Sequence, residues 1–290
     1  MTKTTSGRQN PWLVGCGGSC LVIVLVFVGL GFLGARFVRR TTAGFDTAVE
    51  TRKDLEQRFG AAGSYVPAPD GAVEPARMEA FLAVRDATAG ARERLSAAWA
   101  KIPLSPAAAR ELESQGFMEK MRSTFKITRA GLGLGAEMGA LFAARNQAMA
   151  DAGMGFGEYT YIYTLAYYSW LGHSPEEGPE TAGGDGEAAF GPRMGNVFFG
   201  RVRGDLLQML RNQLAGVPAD EADWRQTLSA EIAAMEADSR RLPWQDALPA
   251  AVTASFEPYR DRLEATYSPA TNAFELGRNK KRGRFSVTAD

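Results

Sequence analysis

Residues 159–172 read YTYIYTLAYYSWLG, and this stretch decides how the rest of the chain must be arranged. Its large side chains fall on two faces of a helix: Tyr159, Tyr163, Tyr167 and Trp170 on one, and Tyr161, Leu165 and Tyr168 on the other. A helix with apolar side chains all round is normally covered on most sides. Tyrosine hydroxyls and the tryptophan N–H need hydrogen-bond partners when buried. The pattern therefore predicts a helix at the edge of a core or beside a groove.

Glycine recurs at every fourth position of another helical stretch, RAGLGLGAEMGALFAAR at 129–145, as Gly131, Gly135 and Gly139. Each glycine inside a helix costs about 1 kcal/mol relative to alanine. Three on one face therefore suggest a compensating gain, and close approach of a neighbouring helix is the usual one. We expect another helix to cross this glycine face.

The aromatic helix and the glycine face allow two arrangements. In the first, the aromatic helix packs in the core against the glycines. In the second, the glycines line a ligand or partner groove together with Tyr159, Tyr163 and Trp170, whose rings would stack on a ligand such as a sugar. Aromatic side chains dominate ordinary cores, so the sequence favours the first arrangement without excluding the second.

The rest of the chain predicts an all-α protein, with one N-terminal transmembrane helix followed by a multi-helix globular domain. Sustained alternation of β-branched residues is almost absent, whereas apolar residues at helical spacing are frequent. The predicted organisation is a short polar tail (1–11), a transmembrane signal anchor (12–36), a charged helical stalk with a Pro/Gly linker (37–74), a helical domain (75–276) with a flexible acidic loop (172–193), and a basic disordered tail (277–290).

The anchor rests on the apolar run CLVIVLVFVGLGFLGA at 20–35. A helix needs about 20 apolar residues to cross a ~30 Å hydrocarbon core, and no charged residue occurs from 11 to 35. LVGC at 13–16 resembles a lipoprotein cleavage site, but the residues before Cys16 are polar and the apolar run follows it. The run is also longer than a cleaved signal peptide requires. We therefore expect an uncleaved, single-pass anchor in the inner (cytoplasmic) membrane.

The orientation of the anchor is open between two arguments. Arg36, Arg39 and Arg40 follow the apolar run, whereas Lys3 and Arg8 precede it. The charge count places the C-terminal domain in the cytoplasm. However, a first span with a short basic tail usually exports the large domain that follows, and long domains cross largely regardless of charge. We expect an extracytoplasmic domain, against the charge count.

Composition excludes several classes of chemistry. Lysine and arginine total 33 and so do aspartate and glutamate, so a general nucleic-acid binder is not expected. The chain has one histidine, His173, and its two cysteines, Cys16 and Cys20, lie in the anchor region. Multi-histidine zinc sites and Cys–His nucleophiles are therefore excluded, and no phosphate-binding glycine loop occurs. We expect no catalytic residue, no metal and no cofactor.

Charged residues inside apolar helical stretches predict buried ion pairs, because buried charges need partners. Arg201, Arg203 and Asp205 lie in VFFGRVRGDLL, and we expect them to pair with Glu137 or Glu158. The alternative is an anion-binding pocket, which is less common than a structural ion pair.

These patterns together predict a membrane-anchored helical interaction or scaffold protein of the bacterial cell envelope, without enzymatic activity. Its expected partners are the lipid bilayer and another protein. The alternative function is an envelope enzyme or carrier that binds an apolar or sugar-containing ligand in a tyrosine-rich groove, so the sequence leaves enzymatic activity undecided.

Overall fold

The computed structural model describes residues 44–101, 117–178 and 192–277, and every regular element within these ranges is a helix. The helices are α1 (44–59), α2 (Pro75–Ala87), α3 (Ala89–Trp99), α4 (Phe117–Asp151), α5 (Phe156–Tyr163, continued by a π-helix over Thr164–Trp170), α6 (Pro192–Gly216), α7 (Ala222–Ala237), α8 (Ala250–Phe256), α9 (Arg260–Thr266) and α10 (Pro269–Glu275), with 3₁₀ turns at Ala62–Ser64 and Glu257–Tyr259. The all-α prediction is confirmed for this part of the chain.

Several predicted segments lie outside the described residues. They are the polar tail (1–11), the transmembrane anchor (12–36), most of the acidic loop (179–191) and the basic tail from residue 278 onwards. Among the helices that are described, none has the length and apolar character needed to cross a membrane.

The helical residues between Pro75 and Trp99 are divided into α2 and α3 at Thr88. The Thr88 hydroxyl donates hydrogen bonds to the carbonyls of Val84 and Arg85, at 2.9 Å and 3.0 Å. Arg92 also donates to the Arg85 carbonyl, at 2.7 Å. The Arg85 carbonyl therefore accepts side-chain hydrogen bonds at the point where α2 ends, so this buried acceptor is not left unpaired.

Two groups of buried apolar side chains form the core. The larger surrounds α5, which contributes Tyr159, Ile162, Tyr163 and Leu165, all 0 % exposed. The smaller joins α1, α3, α4 and α10 around Leu95, Leu141 and Phe274. Since α4 is 35 residues long, it spans about 52 Å, and it packs against both α2 and α3.

Residues 44–74, the described part of the predicted stalk, pack against the helical domain. Leu55 and Ala48 of α1 are 1 % and 2 % exposed, and the Phe45 ring lies 6.3 Å from that of Phe142 on α4. The charged residues of α1 that suggested a stalk occupy its outer side, where Lys53 and Asp54 are exposed. A helix can be charged along one side and still bury the other, so residue 75 is not where the packed domain begins.

Gly139 confirms that a helix approaches the glycine face closely, but the approaching helix is α1, not the aromatic helix. A Cβ atom at Gly139 would lie 3.0 Å from the Phe45 nitrogen and 3.1 Å from the Gly44 carbonyl carbon. Both are backbone atoms, which cannot move aside as a flexible side chain would. Gly131 differs, because a Cβ there meets no heavy atom within 4 Å, and Gly135 is half-buried.

The two glycines therefore predict opposite effects of the same substitution. Gly139→Ala should lower the free energy of unfolding by about 1–3 kcal/mol, because overpacking against backbone outweighs the gain in helix propensity. Gly131→Ala should raise it by up to about 1 kcal/mol, because only helix propensity changes. Thermal unfolding of the full chain in detergent, followed by circular dichroism, measures both. Equal shifts for the two variants would contradict the close crossing.

Candidate functional site: a buried network of tyrosines and arginines

Two glycines at the start of the aromatic helix α5 allow neighbouring residues to pack closely on it. Gly155 and Gly157 face Phe59 and the turn at Ala62–Ser64. A Cβ atom at Gly157 would collide with the Ala62 carbonyl oxygen. Because these positions have no side chains, the turn packs directly on α5 and covers that side of the helix. A larger residue would hold the turn away from α5.

The second half of α5 is a π-helix over Thr164–Trp170. Its hydrogen bonds join residues five positions apart, as between the Leu171 amide and the Ala166 carbonyl at 3.0 Å. This wider turn brings Tyr163 and Tyr168, also five apart, to the same acceptor. Their hydroxyls donate to Oδ1 of Asn272 on α10, at 3.0 Å and 2.8 Å. π-turns are frequent at functional sites, and here the π-turn fits two phenols to one amide.

A fully buried ion pair between Arg85 and Glu275 lies at the centre of the network. The guanidinium and carboxylate are 2.7 Å apart and both side chains are 0 % exposed. Arg85 also donates to the Tyr159 hydroxyl at 3.1 Å and to the Thr266 carbonyl at 2.6 Å. Glu275 accepts hydrogen bonds from the Tyr159 hydroxyl at 3.0 Å and from Thr271 at 3.2 Å. The pair therefore links α2, α5, the end of α9 and α10.

Burial and the neighbouring charges have opposite effects on the pKa values of this pair. Burial alone would raise the pKa of Glu275, but Arg85, Arg92 and Arg145 hold that pKa below its usual range. Burial would likewise lower the pKa of Arg85, yet the Glu275 carboxylate holds it well above the ordinary value. Both groups are therefore charged at neutral pH. Burial raises the pKa values of Tyr159 and Tyr163, so these phenols are neutral hydrogen-bond donors.

Two further arginines cap helix ends around the pair. Arg92 donates to the Thr88 hydroxyl at 2.8 Å, in addition to its bond to the last turn of α2. Its pKa is lowered by burial and by the neighbouring Arg85 charge. Arg145 donates to the carbonyls of Glu275 and Gly277, at 2.5 Å and 3.0 Å. Cations are favourable beside the carbonyls at helix C-termini, so both arginines stabilise helix ends.

The network extends to the surface at His173, the single histidine of the chain. Its ring lies flat on that of Tyr267, with centroids 3.6 Å apart. The Tyr267 hydroxyl donates to Glu177 at 2.8 Å. Asn272 donates to the carbonyls of Ser174 and Glu177, at 3.0 Å and 3.1 Å. The start of the predicted acidic loop is therefore bound to the segment that follows α9.

The predicted groove residues do not come together in one site. Tyr159 and Tyr163 are in the interior, whereas Trp170 is half-buried between Phe256 and the guanidinium of Arg260. Gly139 faces α1. The described structure thus places these residues in three separate environments, and their role as a ligand or partner groove stays a prediction.

Three of the five predicted ion-pair residues have partners other than those expected. Glu158 pairs with Arg77 at 2.5 Å, and Glu137 pairs with Arg94 at 3.3 Å on a more exposed side of α4. Arg203 donates to the Met235 and Asp238 carbonyls at the end of α7. The reason is the packing of α6 on α7, which directs Arg203 towards that helix end, where cations are favourable. Asp205 lies beside Gly63, and Arg201 is half-buried.

Sequence reasoning missed Arg85, Glu275 and Asn272, which form the centre of the network. A signal was present for two of them. Arg85 follows Phe81 and Val84 in the apolar stripe of α2, and Glu275 stands between Phe274 and Leu276. A charge inside an apolar pattern predicts a buried partner, but their separation in sequence hides the pairing.

A recess of about 500 Å³ opens on the surface between α2 and α4. It is lined by Ala83, Ala87, Ala144, Gln147, Ala148, Asp151 and Ala152. Five of these seven side chains are alanine, so the recess is apolar, and the backbones of two helices are close to solvent there. Within the described ranges, no group of three or more His, Cys, Asp or Glu side chains is arranged to hold a metal ion.

Comparison of the chain with protein-family models, with curated proteins and with solved structures finds no match.

Removing the buried carboxylate should be strongly destabilising. Glu275→Gln leaves Arg85 buried without its counter-charge, which costs about 3–5 kcal/mol of the free energy of unfolding. Arg85→Met combined with Glu275→Leu should be less destabilising than the single change, because no unpaired charge remains. Glu79→Gln is the control. It breaks an exposed pair with Arg262 at 2.8 Å and should have little effect, since exposed pairs contribute little.

The same pair predicts an acid dependence. Because the folded pKa of Glu275 is lowered, its contribution to stability is present above the unfolded value of about 4.3. It is lost as the pH falls through the folded pKa. The midpoint of thermal unfolding should therefore drop less between pH 6 and pH 3 in Glu275→Gln than in the unmodified chain. Parallel curves would contradict the assignment.

Proposed function

We propose that this chain is a membrane-anchored, non-enzymatic helical interaction protein of the bacterial cell envelope. One observation carries the proposal: the tyrosine hydroxyls that could have formed a reactive site are hydrogen-bonded to other groups inside the domain. The hydroxyls of Tyr159, Tyr161 and Tyr163 bond to Glu275, Gly71 and Asn272 respectively. Phenols that are already bonded and lie in the interior stabilise a fold, whereas a ligand site presents groups to solvent.

Membrane attachment is supported by the sequence before the described domain. The apolar run at 20–35 is followed within a few residues by Arg36, Arg39 and Arg40. Cations at the end of an apolar run are typical of the membrane interface, where long basic side chains reach the headgroups. We propose a single-pass anchor in the inner membrane with the helical domain outside the cytoplasm, as long domains cross largely regardless of charge.

The surface supports binding of a partner protein through the recess between α2 and α4. Alanines repeat at helical spacing along both walls, as Ala83 and Ala87 on α2 and as Ala144 and Ala148 on α4. Small side chains allow helices to approach closely. The occupant that fits is therefore an α-helix of another envelope protein, packed lengthwise through small residues of its own.

The alternative is an enzyme or carrier that binds an apolar or sugar-containing ligand beside α5. One observation favours it: the hydroxyls of Thr160 and Thr164 and the Nε of Arg85 are buried without a hydrogen-bond partner. A ligand would have to enter a filled core to reach them, since Thr160 and Thr164 are 1 % and 0 % exposed. The interaction function requires no such opening.

Topology is the first test of the proposed location. Alkaline phosphatase and, separately, green fluorescent protein are fused after Asp290, and blots check that the N-terminus is retained. We expect phosphatase activity without fluorescence, with the chain resistant to extraction by alkaline carbonate. Fluorescence without phosphatase activity would instead place the domain in the cytoplasm, as the cations near the anchor predict. Release by carbonate would overturn the anchor.

The recess predicts where a partner can be captured. A photo-reactive amino acid in place of Gln147, which is exposed and lines the recess, should give one discrete cross-linked product in cells. Ala83→Lys together with Ala87→Lys should reduce its yield about tenfold, a loss of about 1.4 kcal/mol in binding. Both alanines are exposed, so the fold should be unaffected.

The matched control is Ala76→Lys with Ala97→Lys, two exposed positions outside the recess. It should leave the yield unchanged. An equal reduction by both lysine pairs would mean that charge in general, and not the recess, weakens the contact.

A further inference from the structure

Residues 173–177 follow α5 and are tied back to the domain by hydrogen bonds. Their first amide, that of His173, donates to the Tyr167 carbonyl at 2.9 Å. Their last side chain, that of Glu177, accepts a hydrogen bond from the Ser174 amide at 2.7 Å. We call these residues the latch. Because its backbone is held at both ends, a change of charge within the latch acts on a defined geometry.

The His173 ring lies directly over the ring of Tyr267, which stands between α9 and α10. The two centroids are 3.6 Å apart and the ring planes are inclined by 12°. Carbon atoms in contact are about 3.5–4.0 Å apart, so the rings overlap with almost no offset. Two neutral aromatic rings disfavour this arrangement, because their negative faces meet. A cation over the face of a tyrosine ring is attracted instead. The stack therefore suits the charged form of the imidazole.

A carboxylate lies beside the same ring. Oε2 of Glu177 is 3.5 Å from Nδ1 of His173, and it also accepts a hydrogen bond from the Tyr267 hydroxyl at 2.8 Å. The His173 and Glu177 side chains are 30 % and 34 % exposed, so water weakens this attraction without removing it. An opposite charge at such a distance favours the protonated ring. The stack and the carboxylate thus act in the same direction.

Three tyrosines lie around the latch. They are Tyr167 on α5, whose ring centroid is 6.4 Å from that of His173, Tyr168 on the same helix, and Tyr267. Burial raises the pKa values of Tyr168 and Tyr267, and the Glu177 carboxylate raises both further. Free phenols titrate near pH 10, so these two tyrosines stay neutral between pH 5 and pH 8.

The remaining charges near the latch do not oppose a proton on His173. Arg85 is the cation that acts on Tyr267 from the interior. Its charge is offset by Glu275, which lies 2.7 Å from it in the same buried pair. Glu176, in the latch itself, is exposed and adds a second negative charge. The neighbouring charges together therefore favour the protonated ring.

We infer that the latch is a pH-sensitive switch: in mildly acidic surroundings the charged His173 ring fastens it to Tyr267 and Glu177, and near pH 8 the neutral ring loosens it. Histidine is the side chain that normally gains its charge between pH 8 and pH 5, and this chain has one. The charged ring gains its partners only while the latch is closed. Protonation therefore stabilises the closed latch, and this stabilisation is lost as the pH rises. The inference does not depend on the proposed anchor, because all of its groups belong to the described domain.

Asn272 of α10 connects the latch to the interior. Its amide nitrogen donates to the carbonyls of Ser174 and Glu177 in the latch. Its Oδ1 accepts hydrogen bonds from the hydroxyls of Tyr163 and Tyr168 on α5. One side chain thus bonds both to the latch and to the phenols of the aromatic helix. Loosening of the latch therefore changes the bonding of the buried network, and the pH of the surroundings reaches the core by this route.

The test measures the mobility of the latch in the full chain. A nitroxide is attached at Glu176→Cys, an exposed position, in a chain carrying Cys16→Ser and Cys20→Ser. Electron paramagnetic resonance in detergent gives the mobile fraction of the label at pH 5.5 and at pH 8. We expect this fraction to be at least about twofold larger at pH 8, where histidine is mostly neutral. The range stays above pH 5 because carboxylates ordinarily keep their charge there.

Two substitutions separate the charge of the ring from its shape. His173→Gln cannot gain a charge, so the label should be equally mobile at both pH values. His173→Arg carries a permanent charge on a planar group that stacks on aromatic rings, so the label should be held at both. Circular dichroism checks that each variant keeps its helices. A label at Ser239, which is exposed after α7, is the control and should show no dependence on pH.

Three results would overturn the inference. The first is equal mobility of the unmodified latch at pH 5.5 and pH 8. The second is a full response to pH in His173→Gln, which would mean that another group titrates. The third is a label in His173→Arg that is as mobile as in His173→Gln, because a permanent charge at this position would then fail to fasten the latch.

Discussion

The ion pair between Arg85 and Glu275 is the constraint on which the interior depends. Two charges that are both 0 % exposed need further hydrogen bonds to their donors and acceptors if they are to be tolerated. Those bonds come from Tyr159 on α5, from the Thr266 carbonyl and from Thr271 on α10. The distant segments must therefore assemble together, because each holds a group that the pair needs. A buried pair of this kind adds little net stability, and its role here is to select one arrangement of helices.

The short helices near the C-terminus show why this selection matters. α8, α9 and α10 each have seven residues, and isolated helices of that length are marginal in water. Contacts with the network stabilise the last two. Asn272 of α10 accepts hydrogen bonds from two tyrosine hydroxyls, and Arg145 donates to a carbonyl at the end of α10. Tyr267, which follows α9, stacks on His173. The order of this region is thus imposed by tertiary contacts.

Part of this architecture could be predicted from local pattern. The covered aromatic helix and the close approach at Gly139 both follow from side-chain size at helical spacing, and both are present in the structure. What lies against each helix could not be predicted in the same way. The charged outer side of α1 concealed an inner side that buries Leu55. Arg203 was expected to pair with Glu137 or Glu158, because all three are charges within apolar helical stretches. Helix packing instead places Glu158 beside Arg77 and Arg203 at the end of α7. Arg85 and Glu275 are 190 positions apart in the numbering, and no local signal joins residues at that separation.

The way in which the chain uses its polar groups bears on its function. Tyrosine, arginine and glutamate in one cluster are the materials of a binding or catalytic site, yet here they bond to helix ends and to one another. The segment Gly139–Asn146 uses a small residue, an aromatic ring, a guanidinium and an amide to hold the first and last described residues of the domain together. In the membrane-anchored interaction protein that we propose, such contacts would let a domain held by its anchor present the partner surface in a fixed orientation. α4 makes that connection directly, since it carries the contacts that hold both chain ends and also one wall of the alanine recess.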